Sequence, residues 1–324
     1  MTTLALAAAV IAAFALAIRD AHAGGGALFW AALSAALPLS AWLLNRLSAL
    51  GEGGRGPLDR ALALVAPLGL GAAVLALWEA LVVGLGVPMV LLPAPSTIGA
   101  RLVDSVPVLA QDVVQTFLRA VLPGYAVGCG LGFAAALVAD RSAVLRRGLL
   151  PVASLASALP VIGVAPIMVM WFGFDWPSKA AVVTLMTFFP MLVGTLSGLA
   201  AAGALERDLL RSYAASRGQT LRLLLLPAAM PFVFTALKVN APLALIGAIV
   251  AEFFGSPTVG MGFRITTEAG RLAMDMVWAE VAVAAALGTL FYGAVALAER
   301  VATFWHASIR AASRAVARQG RRGG

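Results

Sequence analysis

Long apolar runs follow one another along this chain, near residues 4–18, 27–44, 61–85, 116–138, 149–172, 180–200, 231–254 and 276–298. About 20 residues of helix cross the hydrocarbon core of a bilayer. Lipid offers no partner to a free backbone group, so a spanning segment must be a helix or a strand of a closed barrel. Barrel strands alternate apolar with polar residues, and these runs are continuous. The sequence therefore predicts a polytopic, all-α membrane protein with eight candidate spans.

Composition agrees: 61% of the 324 residues are apolar and 12% charged, against about 25% charged in ordinary soluble domains. A net charge of +8 raises nucleic acid as a partner in a soluble protein, but here the basic residues fall between and beyond the runs. The segments 45–60, 140–148, 201–223 and 299–324 hold 16 of the 23 basic residues, and the opposite loops 86–113, 173–179 and 255–275 hold 4. The positive-inside rule then places the first set, and the C-terminus, in the cytoplasm, and no nucleic-acid partner is expected.

The amino terminus has two readings. An apolar core ending at Ala21-His22-Ala23 resembles a signal peptide, yet no basic residue precedes it. In either case the second run enters the cytoplasm at the Gly-rich stretch 51–57, which reads as a linker. The domain expectation is an accessory hairpin at 1–50, a linker at 51–60, a main bundle at 61–306 with a cytoplasmic loop at 201–227, and a basic cytoplasmic tail at 307–324.

Within the bundle, Gly124, Gly128 and Gly132 recur every four residues and predict a close helix–helix face, because small residues let backbones approach. Pro160 and Pro166 interrupt the fifth run and Pro190 the sixth; broken helices in transporters often line a cavity. Ser154, Ser157, Thr184 and Thr187 offer hydroxyls there, and Asn240 an uncharged amide. Each of these also suits an interhelical hydrogen bond. Glu79, Lys238, Glu252 and Glu280 are ionisable residues at membrane depth; Lys238 is expected to snorkel to the cytoplasmic side. After the third run, Ser96 or Thr97 is expected to cap a short interfacial helix whose apolar face is Ile98, Leu102 and Val106.

Enzyme signatures are absent from the sequence. There is no GxxxxGK[ST], HExxH or GxSxG, the overlapping GCGLG has no preceding strand, and the two histidines, His22 and His306, are far apart. Cys129 is the single cysteine, so no intrachain disulfide can form. No metal and no cofactor is expected on this chain.

The stretch 208–227, DLLRSYAASRGQTLRLLLLP, interrupts the apolar pattern with charge. It reads as a short amphipathic helix on the membrane face, broken at Gly218, with Asp208, Arg211, Arg217 and Arg222 wet and Leu209, Leu210, Tyr213, Leu223 and Leu224 apolar. Such a helix is suited to another protein's groove. Its spacing resembles the cytoplasmic signature of permeases of ATP-binding-cassette importers: Glu-Ala-Ala, three residues, Gly, nine residues, Ile, one residue, Leu-Pro. Asp208-Leu209-Leu210, Ala214, Leu224 and Leu226-Pro227 occupy that frame, with Asp for Glu, leucines for both alanines and Ala for Gly. LWEALVVGLGVPMVLLPAPSTI, the WFGF–x–WPSK turn, FFPMLVGTLSGL, ALIGAIVAEFFGSPTVGMG and WAEVAVAAALG also resemble permeases of the taurine, nitrate, sulfonate and thiamine-precursor importer group, over roughly residues 70–306.

That resemblance implies a six-helix type I importer permease core, preceded here by an extra two-helix hairpin, in a bacterial cytoplasmic (inner) membrane. It implies a homodimer, a separate cytoplasmic ATPase dimer carrying ATP and Mg, and an extracytoplasmic solute-binding protein. Asp208, Leu209, Leu210, Ala214, Ala215, Arg217, Leu226 and Pro227 would be the ATPase-coupling contacts. Asn240, Thr187, Thr184 and Ser157 are the candidates for the path of a small-molecule solute. The run Glu206–Glu268 is most similar to members associated with pyrimidine-type or thiamine-precursor heterocycles. Sulfonate, taurine or nitrate is the alternative, as is an ion-coupled secondary transporter of another class.

Overall fold

The computed structural model describes residues 3–22, 26–51, 57–157, 160–255 and 258–303. Along the chain run α1 (Thr3–His22), α2 (Ala27–Gly51), α3 (Pro57–Gly84), α4 (Pro95–Asp104), α5 (Val106–Ala139) and α6 (Ala143–Ser157). They are followed by α7 (Val161–Phe172), α8 (Trp176–Ala200), α9 (Ala204–Ser212), α10 (Arg217–Glu252), α11 (Met261–Gly270) and α12 (Met274–Ala302). No strand occurs among the described residues. The tail 307–324 and linker residues 52–56 lie outside them, and residues 57–60 already belong to α3.

Among the described residues, five helices are long and apolar enough to cross a membrane: Pro67–Gly84 of α3, and α5, α8, α10 and α12. They match five of the expected runs. The run 149–172 is not one span. Its helices α6 and α7 are separated at Pro160, whose backbone is extended (φ −69°, ψ 119°), because proline lacks an N–H and clashes with the carbonyl four residues back. Pro166 and Pro190, by contrast, are accommodated inside α7 and α8.

The helices pack as two compact units, one comprising α1–α4 with residues 272–279 and the other α5–α11 with the remainder of α12. In the first, Phe29 is fully buried among Val10, Phe14, Leu33 and Ala80, and the Asp20 carboxylate accepts the Phe29 N–H at 2.8 Å. Glu79 serves as the cap of α4: its two carboxylate oxygens accept from the Ser96 N–H at 2.9 Å and the Ser96 hydroxyl at 2.7 Å. Ser96 thus lies inside the helix it was expected to cap. Ile98 is buried and Leu102 half-buried, while Val106 is exposed and belongs to α5.

In the second unit α8 is the central helix, packed along α5 on one flank and α10 on the other. Both contacts are built from glycine. A Cβ on Gly124 would lie 2.6 Å from the Ala180 carbonyl, and one on Gly128 would meet Thr187 and Thr184. Gly132 would meet Phe188 and Met191 in the same way. On the other flank, Gly194 and Gly198 leave room for Ala236 and Ala229 of α10. Close backbone approach of this kind supplies dispersion energy where lipid provides no hydrophobic drive.

Two spans contain a wide turn, at Val114–Val121 in α5 and Leu221–Leu225 in α10. Both end at a Leu-Pro pair. The Leu122 N–H reaches back five residues to Phe117 O, and the Leu226 N–H to Leu221 O. Pro123 and Pro227 have no N–H to offer the carbonyl four residues earlier, so the ladder steps out of register just before each proline.

Candidate functional site

The segment 201–227 begins where Arg207 closes the end of α8, its guanidinium donating to the carbonyls of Leu199 (2.6 Å) and Ala202 (3.3 Å). Those carbonyls have no intrahelical partner, and a cation there also opposes the negative end of the helix dipole. α9 follows. Leu205, Leu209 and Tyr213 are 85%, 56% and 77% exposed, and Asp208 pairs with Arg211 in solvent at 2.9 Å. Leu210 and Ala215 are half-buried, joined by the Ala215 N–H to Leu210 O bond at 3.0 Å.

The break in this segment falls at Tyr213–Ser216 and not at Gly218. Ala214 has φ 53°, in the left-handed region, where an L-residue costs roughly 1–2 kcal/mol and glycine almost nothing. The frame described above has Gly at this position. Ser216 then starts α10 with a reciprocal capping box: its hydroxyl accepts the Gln219 N–H, and the Gln219 carboxamide accepts the Ser216 N–H. Arg217 and Gly218 are already helical. Leu226 and Pro227 are half-buried just beyond the wide turn, above the buried Leu225.

At mid-bundle the structure brings Asn240, Thr187 and Cys129 together. Asn240 is fully buried; its amide donates to Thr187 O at 2.8 Å and Cys129 Sγ at 3.3 Å, and its Oδ1 has no donor among the described residues. The Thr187 hydroxyl donates to Val183 O and that of Thr184 to Gly124 O. Thr184 also borders a cleft of about 670 Å³ among α5, α7 and α8, where Trp171, Phe172, Trp176 and Phe188 supply aromatic walls. Ser157 ends α6, and its side chain lies outside the described residues, as does that of Ser154.

The opposite end of this unit holds a cluster that sequence reasoning saw only in part. The first amides of α11 are taken by side chains from two spans. Gly260 N–H goes to Asp112 at 2.7 Å, Met261 N–H to the Thr116 hydroxyl at 2.8 Å and Gly262 N–H to Glu252 at 2.7 Å. Thr116 in turn donates to Glu252 at 2.8 Å. Negative charge at a helix N-terminus is favourable. Gly260 has φ +135°, and a Cβ there would lie 2.6 Å from a Glu252 oxygen, so the glycines of SPTVGMG are required by this grip.

Arg264 donates to Asp112 at 2.9 Å, and that carboxylate holds the guanidinium further above its ordinary range. Glu280 is fully buried beside Asp112 and Arg264. The Lys179 ammonium, buried at the start of α8, donates to the carbonyls of Phe174, Asp175 and Gly255. Lys238 is held by Glu299 at 2.6 Å instead of running free to the interface. Asp175 accepts the Trp176 N–H at 2.7 Å and the Gln115 amide at 3.0 Å, which keep its carboxyl below the usual range. Asp112, Lys179 and Arg264 were missed because each lies at the end of a run or in a loop, where charge is unremarkable.

A family described as binding-protein-dependent transport system inner membrane component matches residues 128–303, more than half of the chain. The formylaminopyrimidine transport permease protein of Halalkalibacterium halodurans is 31% identical over 233 residues, covering 71% of this chain and 91% of the relative. The riboflavin transport system permease protein of Chloroflexus aurantiacus is 30% identical over 239 residues, covering 72% and 87%. A putative aliphatic sulfonates transport permease protein of Bacillus subtilis is 29% identical over 242 residues, covering 74% and 87%.

Proposed function

The chain belongs to the binding-protein-dependent transport system inner membrane components, the permease subunits of ATP-binding-cassette importers, and from that premise we propose how it works. Two copies form the pore in the cytoplasmic membrane with their C-termini inside. Each takes one subunit of a separate ATPase dimer at its cytoplasmic segment, and a solute-binding protein delivers cargo from outside. ATP and Mg act on the ATPase, and this chain contributes no hydrolytic group.

The observation that carries this reading is the form of residues 204–227. An exposed apolar face on α9, at Leu205, Leu209 and Tyr213, is joined through the Ala214 turn to α10, which continues into the bilayer. A groove that closes on α9 would push on the base of that span. Asp208, Leu209, Leu210, Ala214, Ala215, Arg217, Leu226 and Pro227 are the proposed coupling residues, as contacts and hinge and not as catalysts.

The solute is a small organic molecule. The relatives named for formylaminopyrimidine and riboflavin, and the aromatic cleft beside Thr184, support a planar heterocycle. The sulfonate relative supports an anionic solute as the second reading. Thr184, Thr187, Asn240 and Ser157 are the proposed path residues.

Purification from native membranes in mild detergent, with the co-purifying proteins identified, tests this reading. An ATPase with Walker motifs should accompany the parent and be lost from Ala214→Glu, which places charge and bulk in the turn. A parent dimer with no ATPase would refute it and leave ion-coupled transport as the better account.

A further inference from the structure

Arg119 is an exposed arginine in a spanning helix. The residues 120–139 of α5 suffice to fill the hydrocarbon core, which places Arg119 at its outer boundary. A guanidinium there is costly unless it reaches water or an anion. It extends outward: its Nη1 donates to the side-chain Oε1 of Gln115 at 3.1 Å, one turn nearer the helix start. Gln115 is buried and is itself fixed by donating to Asp175 at 3.0 Å. The guanidinium is therefore oriented by a two-bond relay, and among the described residues most of its N–H groups are left for another partner.

That partner has a place to sit. Ala110, Gln111, Val114, Gln115, Arg119 and Val259 line a cleft of about 370 Å³. No carboxylate lines it among the described residues, and it combines a fixed cation with two carboxamides. The cleft opens beside the wide turn at Val114–Val121, a distortion often found at functional sites. A guanidinium fork matches the paired oxygens of carboxylate, sulfonate or phosphate, and the volume exceeds what a bare oxyanion head needs.

We propose that this cleft is an oxyanion-binding site at the outer end of the transport unit, with Arg119 as the anion-holding residue, Gln111 as a second donor and Gln115 as the positioning residue. The oxyanion comes either from the head of an anionic solute or from the phosphate of an outer-leaflet lipid. The solute case rests on the permease reading above.

The test uses the full chain, labelled with 15N-arginine, in maltoside micelles free of phospholipid. The Nε–H signal of Arg119 is assigned by its disappearance in Arg119→Gln and in Arg119→Lys. A saturable shift with methanesulfonate, absent with the neutral dimethyl sulfone and at least tenfold weaker in Gln111→Leu, is the expected result for a solute-type oxyanion. A shift produced only by phosphatidylglycerol supports the same site with lipid as the source. No response to either anion overturns the proposal. ATPase co-purification is scored on the same preparation: an ATPase without an Arg119 response sinks the anion site alone. A missing ATPase sinks the permease reading and leaves the lipid case to be judged by its own titration.

Discussion

Arg264 meets Asp112 at 2.9 Å across 152 positions of sequence, and Asp112 is fully buried. Arg264→Ala would strand that carboxylate, a loss of about 3–5 kcal/mol. Asp112→Asn combined with Arg264→Gln should cost clearly less, because no buried charge is left alone. Thermal unfolding of the purified protein measures both; equal losses would mean that the pair does not hold α11.

Gly128 and Gly130 lie two residues apart on α5 and face different surroundings. A methyl at Gly128 would enter Thr187 and Thr184, whereas Gly130 has open space. Gly128→Ala should destabilise by about 1–3 kcal/mol through overpacking. Gly130→Ala should be neutral or stabilising by up to about 1 kcal/mol from helix propensity. Melting temperatures that move together would refute the close contact between α5 and α8.

The turn before α10 yields a paired expectation of opposite sign to the one a break at Gly218 would give. Ala214→Gly relieves a left-handed residue and should stabilise the segment by about 1 kcal/mol. Gly218→Ala, in a helical position with open space, should stabilise it by a similar amount. Hydrogen exchange across 204–220 reads both; slower exchange in each variant is the expected outcome.

Asp175 gives a pH dependence. Its folded carboxyl titrates below the usual range because the Trp176 N–H and the Gln115 amide favour the charged form. Its contribution is therefore complete above the unfolded value of about 3.9 and is lost as pH falls through the lower folded value. Asp175→Asn should be less stable than the parent at neutral pH, and the gap between the two should begin to narrow only below about pH 4, closing once the pH is below the folded value. A constant gap at every pH would show that the charge is irrelevant to the cap.

Asn240→Leu should impair solute uptake while the ATPase still co-purifies, since Asn240 lies far along α10 from the Ala214 turn. Uptake at the parental rate would remove Asn240 from the path and leave it as a bond between helices α10 and α8.

The spans around 116–138, 180–200, 231–254 and 276–298 were legible because apolar length alone decides a membrane helix. The Gly124, Gly128 and Gly132 face was legible because i, i+4 spacing is a local property. The start of α10 had a readable signal in Ser216-x-x-Gln219, a capping-box pattern, which the more conspicuous Gly218 overshadowed. The grip on α11 was not readable, since it joins Asp112 to Gly260 across 148 positions and no local pattern encodes such a pairing. Arg119 was visible as a residue, but its cleft depends on Val259 from a distant loop.

Helix α10 runs for 36 residues from Arg217 to Glu252 without a non-helical residue, roughly 54 Å at 1.5 Å per residue. Its foot is clamped by the Ser216–Gln219 box and its head by the Glu252 bonds to Thr116 and Gly262. It is a strut with both ends pinned. A lift applied at the foot has no loop in which to dissipate, so it must be absorbed as bending, for which the wide turn and Pro231 and Pro242 are the compliant points, or be delivered to the α11 amides at the far surface.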